Sequence, residues 1–116
     1  MQSFVHPEDA AQADKALLQT ETLHGLTETF KVLGDPTRLN ILLAVSRSEL
    51  CVSDIAALLG LSESAVSHQL RLMKSMRLVR YRRAGKMIYY MVDDEHIEDL
   101  IRMGVRHVSE AKGRRQ

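Results

Sequence analysis

Near its C-terminus the chain carries four side chains able to hold a metal ion: Asp94, His96, His107 and Glu110. His107 and Glu110 are spaced i, i+3, so on a helix they share a face and can chelate one ion. Asp94 and His96 are spaced i, i+2, which converges only if Asp94 sits at the helix cap. The two pairs cannot meet within one chain. His96 and His107 are eleven positions apart, about 16 Å of helix at 1.5 Å rise, whereas donor–zinc bonds are only about 2 Å. Two copies of the helix packed antiparallel would bring the Asp94–His96 pair of one protomer to the His107–Glu110 pair of its partner, twice per dimer. Gly104, near the crossing point, would let the backbones approach. Two nitrogens and two oxygens suit tetrahedral Zn(II), with Co(II) as an alternative. The same spacing also fits a solvated dimer helix whose acids and histidines are plain surface groups.

Cys51 and Asp54 form a second candidate pair, i, i+3 at the entry to a helix. A thiolate and a carboxylate are half a metal site, which His6 or His24 of another chain could complete. The plainer reading is a buried cysteine and a first-turn aspartate facing the helix dipole.

A different chemistry sits at Leu61–Leu78, LSESAVSHQLRLMKSMRL. On a helical wheel Val66, Leu70 and Met73 form one apolar stripe. Ser64, Ser67, His68, Arg71 and Ser75 lie on the other side, and the only acid, Glu63, is in the first turn. Hydroxyls, an imidazole and a guanidinium can bond base edges or phosphates in a major groove. Any amphipathic surface helix has a polar face, so the preceding residues matter. Ser53–Leu59 reads as a short helix, Gly60 ends it, and Ser62 caps the next. Two helices joined by a three-residue turn with glycine make a helix-turn-helix.

The other elements must position these groups. The stretch 1–12 is expected as a flexible arm, and 13–111 as one domain with N- and C-terminal dimerisation helices. A helix is expected from about Ala13 to Leu33, with Leu17, Leu23, Leu26, Phe30 and Leu33 as its stripe. Gly34-Asp35-Pro36 ends it and starts the next, which runs to about Val45 with Leu39, Leu42 and Leu43. After Leu78 the period changes to alternation. Val79–Arg83 and Met87–Val92, around a turn at Ala84-Gly85, read as a β-hairpin. Its Arg80, Arg82, Arg83 and Lys86 are expected to reach phosphate or the minor groove. A last helix spans about Asp94 to Ala111, with Ile97, Leu100, Ile101, Val105 and Val108 in line, and 112–116 should fray. The fold expected is mainly α with a small β-hairpin: a winged helix-turn-helix, α-α-α-α-β-β-α, as a homodimer.

Charge agrees. The formal net charge is +1, but Ser62–Tyr90 holds seven bases against one acid, +6, which leaves −5 for the rest. Five of the seven are arginines, which suit phosphate, and a basic patch on a near-neutral protein is a nucleic-acid footprint. One cysteine excludes an internal disulfide framework. No apolar run reaches membrane-spanning length, and the start lacks the regions of a signal peptide. The expectation is a cytoplasmic protein with no membrane contact. No Ser-His-Asp set, phosphate-binding glycine loop or carboxylate cleft points to catalysis. Four protein ligands would leave zinc no open position for a hydrolytic water, so no enzyme is expected.

Three stretches carry a resemblance: LGDPTRLNILL at Leu33–Leu43, ELCVSDIAALLGLSESAVSHQLRLMKS at Glu49–Ser75, and LVRYRRAGKMIYY at Leu78–Tyr90. They resemble the ArsR/SmtB family of winged-helix metalloregulatory repressors. The resemblance implies a homodimer that binds an inverted-repeat double-stranded DNA operator without metal and releases it when metal binds. Zinc-sensing members take Asp, His, His and Glu from the paired C-terminal helices, which fall here on Asp94, His96, His107 and Glu110. The family's thiolate site looks for ELCVCDL, and Ser53 replaces the second cysteine here, so Cys51 and Asp54 match only a weaker zinc version. The resemblance also implies a hydrogen bond from the second ring nitrogen of His107 to the Arg77 carbonyl, carrying the signal. The function expected is a Zn(II)-responsive repressor, with Co(II), Ni(II) or Cd(II) able to share the ligands. The alternative is a repressor sensing another metal through Cys51 and Asp54, or a non-metal signal, with the last helix only for dimerisation.

Overall fold

The computed structural model describes residues 3–114. Contacts divide the chain into two compact units, with the boundary between Lys31 and Val32. The first unit holds α1 (Pro7–Ala16) and most of α2 (Thr20–Leu33). Pro7 takes the first helical position, where its missing amide hydrogen is no loss. Glu8 and Asp9 lie at the positive end of the dipole and Lys15 at the negative end. This helix begins inside the stretch read as an arm. The single helix expected from Ala13 to Leu33 is in fact interrupted, because Leu17 is extended at φ −74°, ψ 147°. No Gly or Pro marks the break. α1 buries no residue, so no packing holds one continuous helix, and Glu21 in the first turn of α2 favours a new start. The α2 stripe Leu23, Leu26 and Phe30 is exposed.

The second unit runs α3 (Pro36–Arg47), α4 (Val52–Leu59), α5 (Glu63–Ser75), β1 (Val79–Ala84), β2 (Met87–Val92) and α6 (Glu95–Arg114). Residues 115–116, the end of the tail expected to fray, lie outside the described residues. Caps set the helix starts. Asp35 accepts the Arg38 amide at 3.0 Å, with Pro36 next in the chain. Ser62 Oγ accepts the Ala65 amide at 3.1 Å. Gly60, at φ +69°, ends α4 in the left-handed conformation that glycine tolerates best.

The core is aliphatic: Ile41 and Leu42 of α3, Ile55 of α4, Val66, Leu70 and Met73 of α5, then Leu78 and Val79. Each such side chain contributes about 1.5–3 kcal/mol relative to exposure. Leu43, expected in this core, is instead exposed, since Ile41, Leu42 and Val45 supply the buried face of α3.

The hairpin is antiparallel and pairs Val79↔Val92 through Ala84↔Met87. Its turn is therefore Gly85-Lys86, one residue later than expected. Gly85 has φ +61°, as a two-residue turn with glycine first requires. Leu50 forms an antiparallel bridge to Tyr90 on the other edge of β2, with bonds of 3.1 and 2.8 Å. β2 is thus the middle of three extended segments. Helices followed by this hairpin make a winged helix-turn-helix. No described helix is long and apolar enough to cross a membrane.

Candidate nucleic-acid interface and metal half-sites

α5 is fastened by one face and free on the other. Val66, Leu70 and Met73 are 0% exposed, while Ser64, His68 and Arg71 are exposed and Ser67 half-buried. The outward set read from the sequence therefore lies together on one solvent face. Arg71 forms no ion pair or hydrogen bond among the described residues. Arg38 of α3 lies beside this helix: its Nε donates to the Val32 carbonyl at 3.0 Å, and another guanidinium nitrogen lies 3.5 Å from Gln69 Oε1 of α5.

The end of α5 is fixed by its backbone. Arg77 is left-handed at φ +59°. Its amide donates to the Lys74 carbonyl at 3.0 Å and that of Leu78 to the Met73 carbonyl at 2.9 Å. With Met73 and Leu78 both buried, this is a Schellman closure. The left-handed position falls on arginine rather than glycine, at a cost of about 1–2 kcal/mol.

The four bases of the wing are all exposed, but they do not share one surroundings. Register puts Tyr81 and Arg83 on one face of the hairpin and Arg80 and Arg82 on the other. On the first face the Lys74 ammonium sits 4.3 Å from the Tyr81 ring centroid, and Tyr81 meets Tyr90 edge to face at 5.7 Å. On the second, Arg82 Nε donates to Glu49 Oε2 at 2.7 Å and its guanidinium lies 4.9 Å from the Tyr89 ring centroid. Glu49, Tyr81 and Tyr89 were not singled out from the sequence. Thirty-three residues separate Glu49 from Arg82, and only the alternation of the strand hinted that Arg82 could meet another group.

At the start of α6, Asp94 and His96 do converge. Asp94 Oδ1 caps the helix by accepting the Ile97 amide at 3.1 Å and lies 3.5 Å from His96 Nδ1. The Ile97 amide holds the Asp94 carboxyl below its ordinary pKa against an opposing desolvation, and His96 adds to the lowering. The His96 side chain is 93% exposed. His107 and Glu110 are exposed further along the same helix. There Glu110 Oε1 accepts from Arg106 Nε at 3.0 Å. His107 makes no hydrogen bond among the described residues, so the bond to the Arg77 carbonyl is not formed in this chain. Among the described residues no three of His, Cys, Asp and Glu gather as a metal site. The chain thus carries two candidate pairs on one helix, each of them two side chains only. Cys51 is buried at the N-terminus of α4 and Asp54 is exposed in its first turn. No third donor joins them among the described residues.

Residues 35–81 match the family described as "Bacterial regulatory protein, arsR family". The chain is similar to a transcriptional repressor SmtB homolog of Synechocystis sp., at 43% identity over 95% of this chain and 83% of that one. It also resembles the crystal structure of the AntR antimony-specific transcriptional repressor, at 32% identity and a TM-score of 0.75 over 97% of this chain and 99% of that one. A homodimeric winged helix-turn-helix DNA-binding domain from Mycobacterium bovis is similar at 27% identity, with a TM-score of 0.74, over 87% of this chain and 95% of that one.

Proposed function

This chain belongs to the arsR family of bacterial regulatory proteins, and from that premise we propose that it is a Zn(II)-responsive transcriptional repressor. It is a regulator and not an enzyme. In this reading a homodimer holds an inverted-repeat operator without metal and lets it go when the ion binds between paired α6 helices. Ser64, Ser67, His68 and Arg71 meet the major groove, and Arg80, Arg83 and Lys86 of the wing meet phosphate. Arg82 has a different place, set by Glu49.

The observation that carries the sensing half is the meeting of Asp94 and His96 at the cap of α6. Their i, i+2 spacing could not converge in mid-helix, and the cap is what brings them together. His107 and Glu110 supply the other imidazole and carboxylate, beyond the reach of the first pair along one helix. Two nitrogens and two oxygens from crossed helices fit a four-coordinate zinc ion. Such an ion would bind two subunits as one body by neutralising their carboxylates. The protein's part is to present both imidazoles to the ion and to free Glu110 from Arg106. Metal and DNA must then oppose each other reciprocally, typically by about 1–3 kcal/mol.

The test uses the full chain and a duplex selected by it from a random pool. Fluorescence anisotropy should show DNA affinity falling more than tenfold when zinc is added. His107→Ala should keep the metal-free affinity and lose the zinc response. Equal zinc affinity in the two proteins would remove the α6 site. DNA affinity indifferent to zinc in the wild type would remove sensing and leave a plain operator-binding module.

A further inference from the structure

We propose that Arg82 is a positioning residue of the wing and not one of its phosphate contacts, an inference that rests on the DNA-binding reading above. β2 lies between β1 and the extended residue Leu50. Alternation along these three segments puts Glu49, Tyr89 and Arg82 on the same face. The 2.7 Å bond between Glu49 and Arg82 therefore reaches across β2, with the guanidinium against the Tyr89 ring. It fastens the outer strand of the wing to the residues just before α4.

The wing needs such a tie. After Val79 every residue of β1 is exposed, and a two-stranded hairpin alone is marginal in water. Lys74 on Tyr81 steadies one face from the end of α5. Glu49 on Arg82 steadies the other. The face that α5 touches is the one carrying Arg83, so Arg83, with Lys86 at the turn, is placed to meet the same duplex as α5. Arg82 points to the opposite side and already has a carboxylate for its charge. As an exposed pair it adds little to global stability; its effect is on where the hairpin stands.

Salt dependence separates the two roles. Each phosphate contact adds about 0.9 to the slope of log affinity against log salt, whereas a positioning residue changes affinity and leaves the slope alone. Anisotropy with the full chain and its selected duplex should show Arg83→Gln lowering the slope by about 1.8, because the homodimer loses one contact in each half-site. Arg82→Gln should weaken binding a few-fold with the slope unchanged. Glu49→Gln should cost about the same, and the double variant no more than either single. A slope lost in Arg82→Gln as in Arg83→Gln would overturn the proposal, and so would losses that multiply in the double variant. Hydrogen-exchange protection of the wing amides in the free proteins provides the same cycle without DNA, and a double variant that loses the sum of the singles also overturns it. Should Arg83→Gln leave the slope untouched, the phosphate reading of the wing is at fault, and the free-protein cycle still decides whether Arg82 is tied to Glu49.

Discussion

α5 and α6 have the same kind of sequence, an apolar stripe beside a face of polar groups, yet the chain treats them differently. α5 buries its stripe completely: Val66, Leu70 and Met73 have no exposure. α6 rests on Ile101, at 9% exposure, while Leu100, Val105 and Val108 of its stripe stay in solvent, Val108 at 67%. The helix with the DNA-type face is finished within one copy. The helix with Asp94, His96, His107 and Glu110 leaves most of its stripe uncovered within one copy. Spacing of apolar residues tells which face wants cover, and it does not tell whether the cover comes from the same chain.

Variants can break this contrast. The largest effect is expected at Leu70. Leu70→Ala leaves a cavity under α5 and should cost about 2–5 kcal/mol, seen as a large fall in thermal midpoint with DNA binding lost alongside. Val108→Ala should leave that midpoint almost unmoved at low protein concentration and weaken self-association in sedimentation; a Val108→Ala loss as large as that of Leu70→Ala would void the contrast. His107→Ala comes next, with zinc affinity expected to fall more than tenfold in a competition titration while secondary structure by circular dichroism stays the same. Arg71→Ala should weaken DNA binding by about 1–3 kcal/mol per half-site if it contacts a base, with sequence preference relaxed at one position of each half-site. An unchanged preference would move Arg71 to a phosphate.

The smallest effect concerns acid. The Asp94 carboxyl has a lowered pKa in the folded chain, chiefly through the Ile97 amide. Its capping contribution is therefore fully present above the unfolded value of about 3.9 and disappears as pH falls through the lower folded value. Asparagine caps helices as well as aspartate. Asp94→Asn should flatten the decline of the midpoint below pH 4 and change little at pH 7. It should still weaken zinc binding, which separates the capping role of this residue from the ligand role.

Local chemistry made the reading helix legible. The caps at Asp35 and Ser62, the glycine at position 60 and the stripe of α5 are each decided within a few residues, and each is where the sequence puts it. What escaped was set at a distance or by absence of packing. The Leu50–Tyr90 bridge joins residues forty apart. The Glu49–Arg82 bond changes the meaning of an arginine that looked free. The break at Leu17 has no breaker residue and follows from a helix with nothing to pack on. The Asp94–His96 and His107–Glu110 pairs on α6 could be seen as pairs, because i, i+3 and the cap position are local, whereas the union proposed for them needs a second copy.

Arg77 has a consequence for motion. Its left-handed backbone persists because Met73 and Leu78 are buried on either side of it, and Asp93, next to the first donor of α6, donates its amide to the Leu78 carbonyl at 3.1 Å. The start of α6 is therefore joined by a backbone hydrogen bond to the residue that follows the left-handed Arg77. Arg77→Gly would remove the cost of the left-handed backbone and loosen that joint, seen as faster hydrogen exchange at the Leu78 and Asp93 amides.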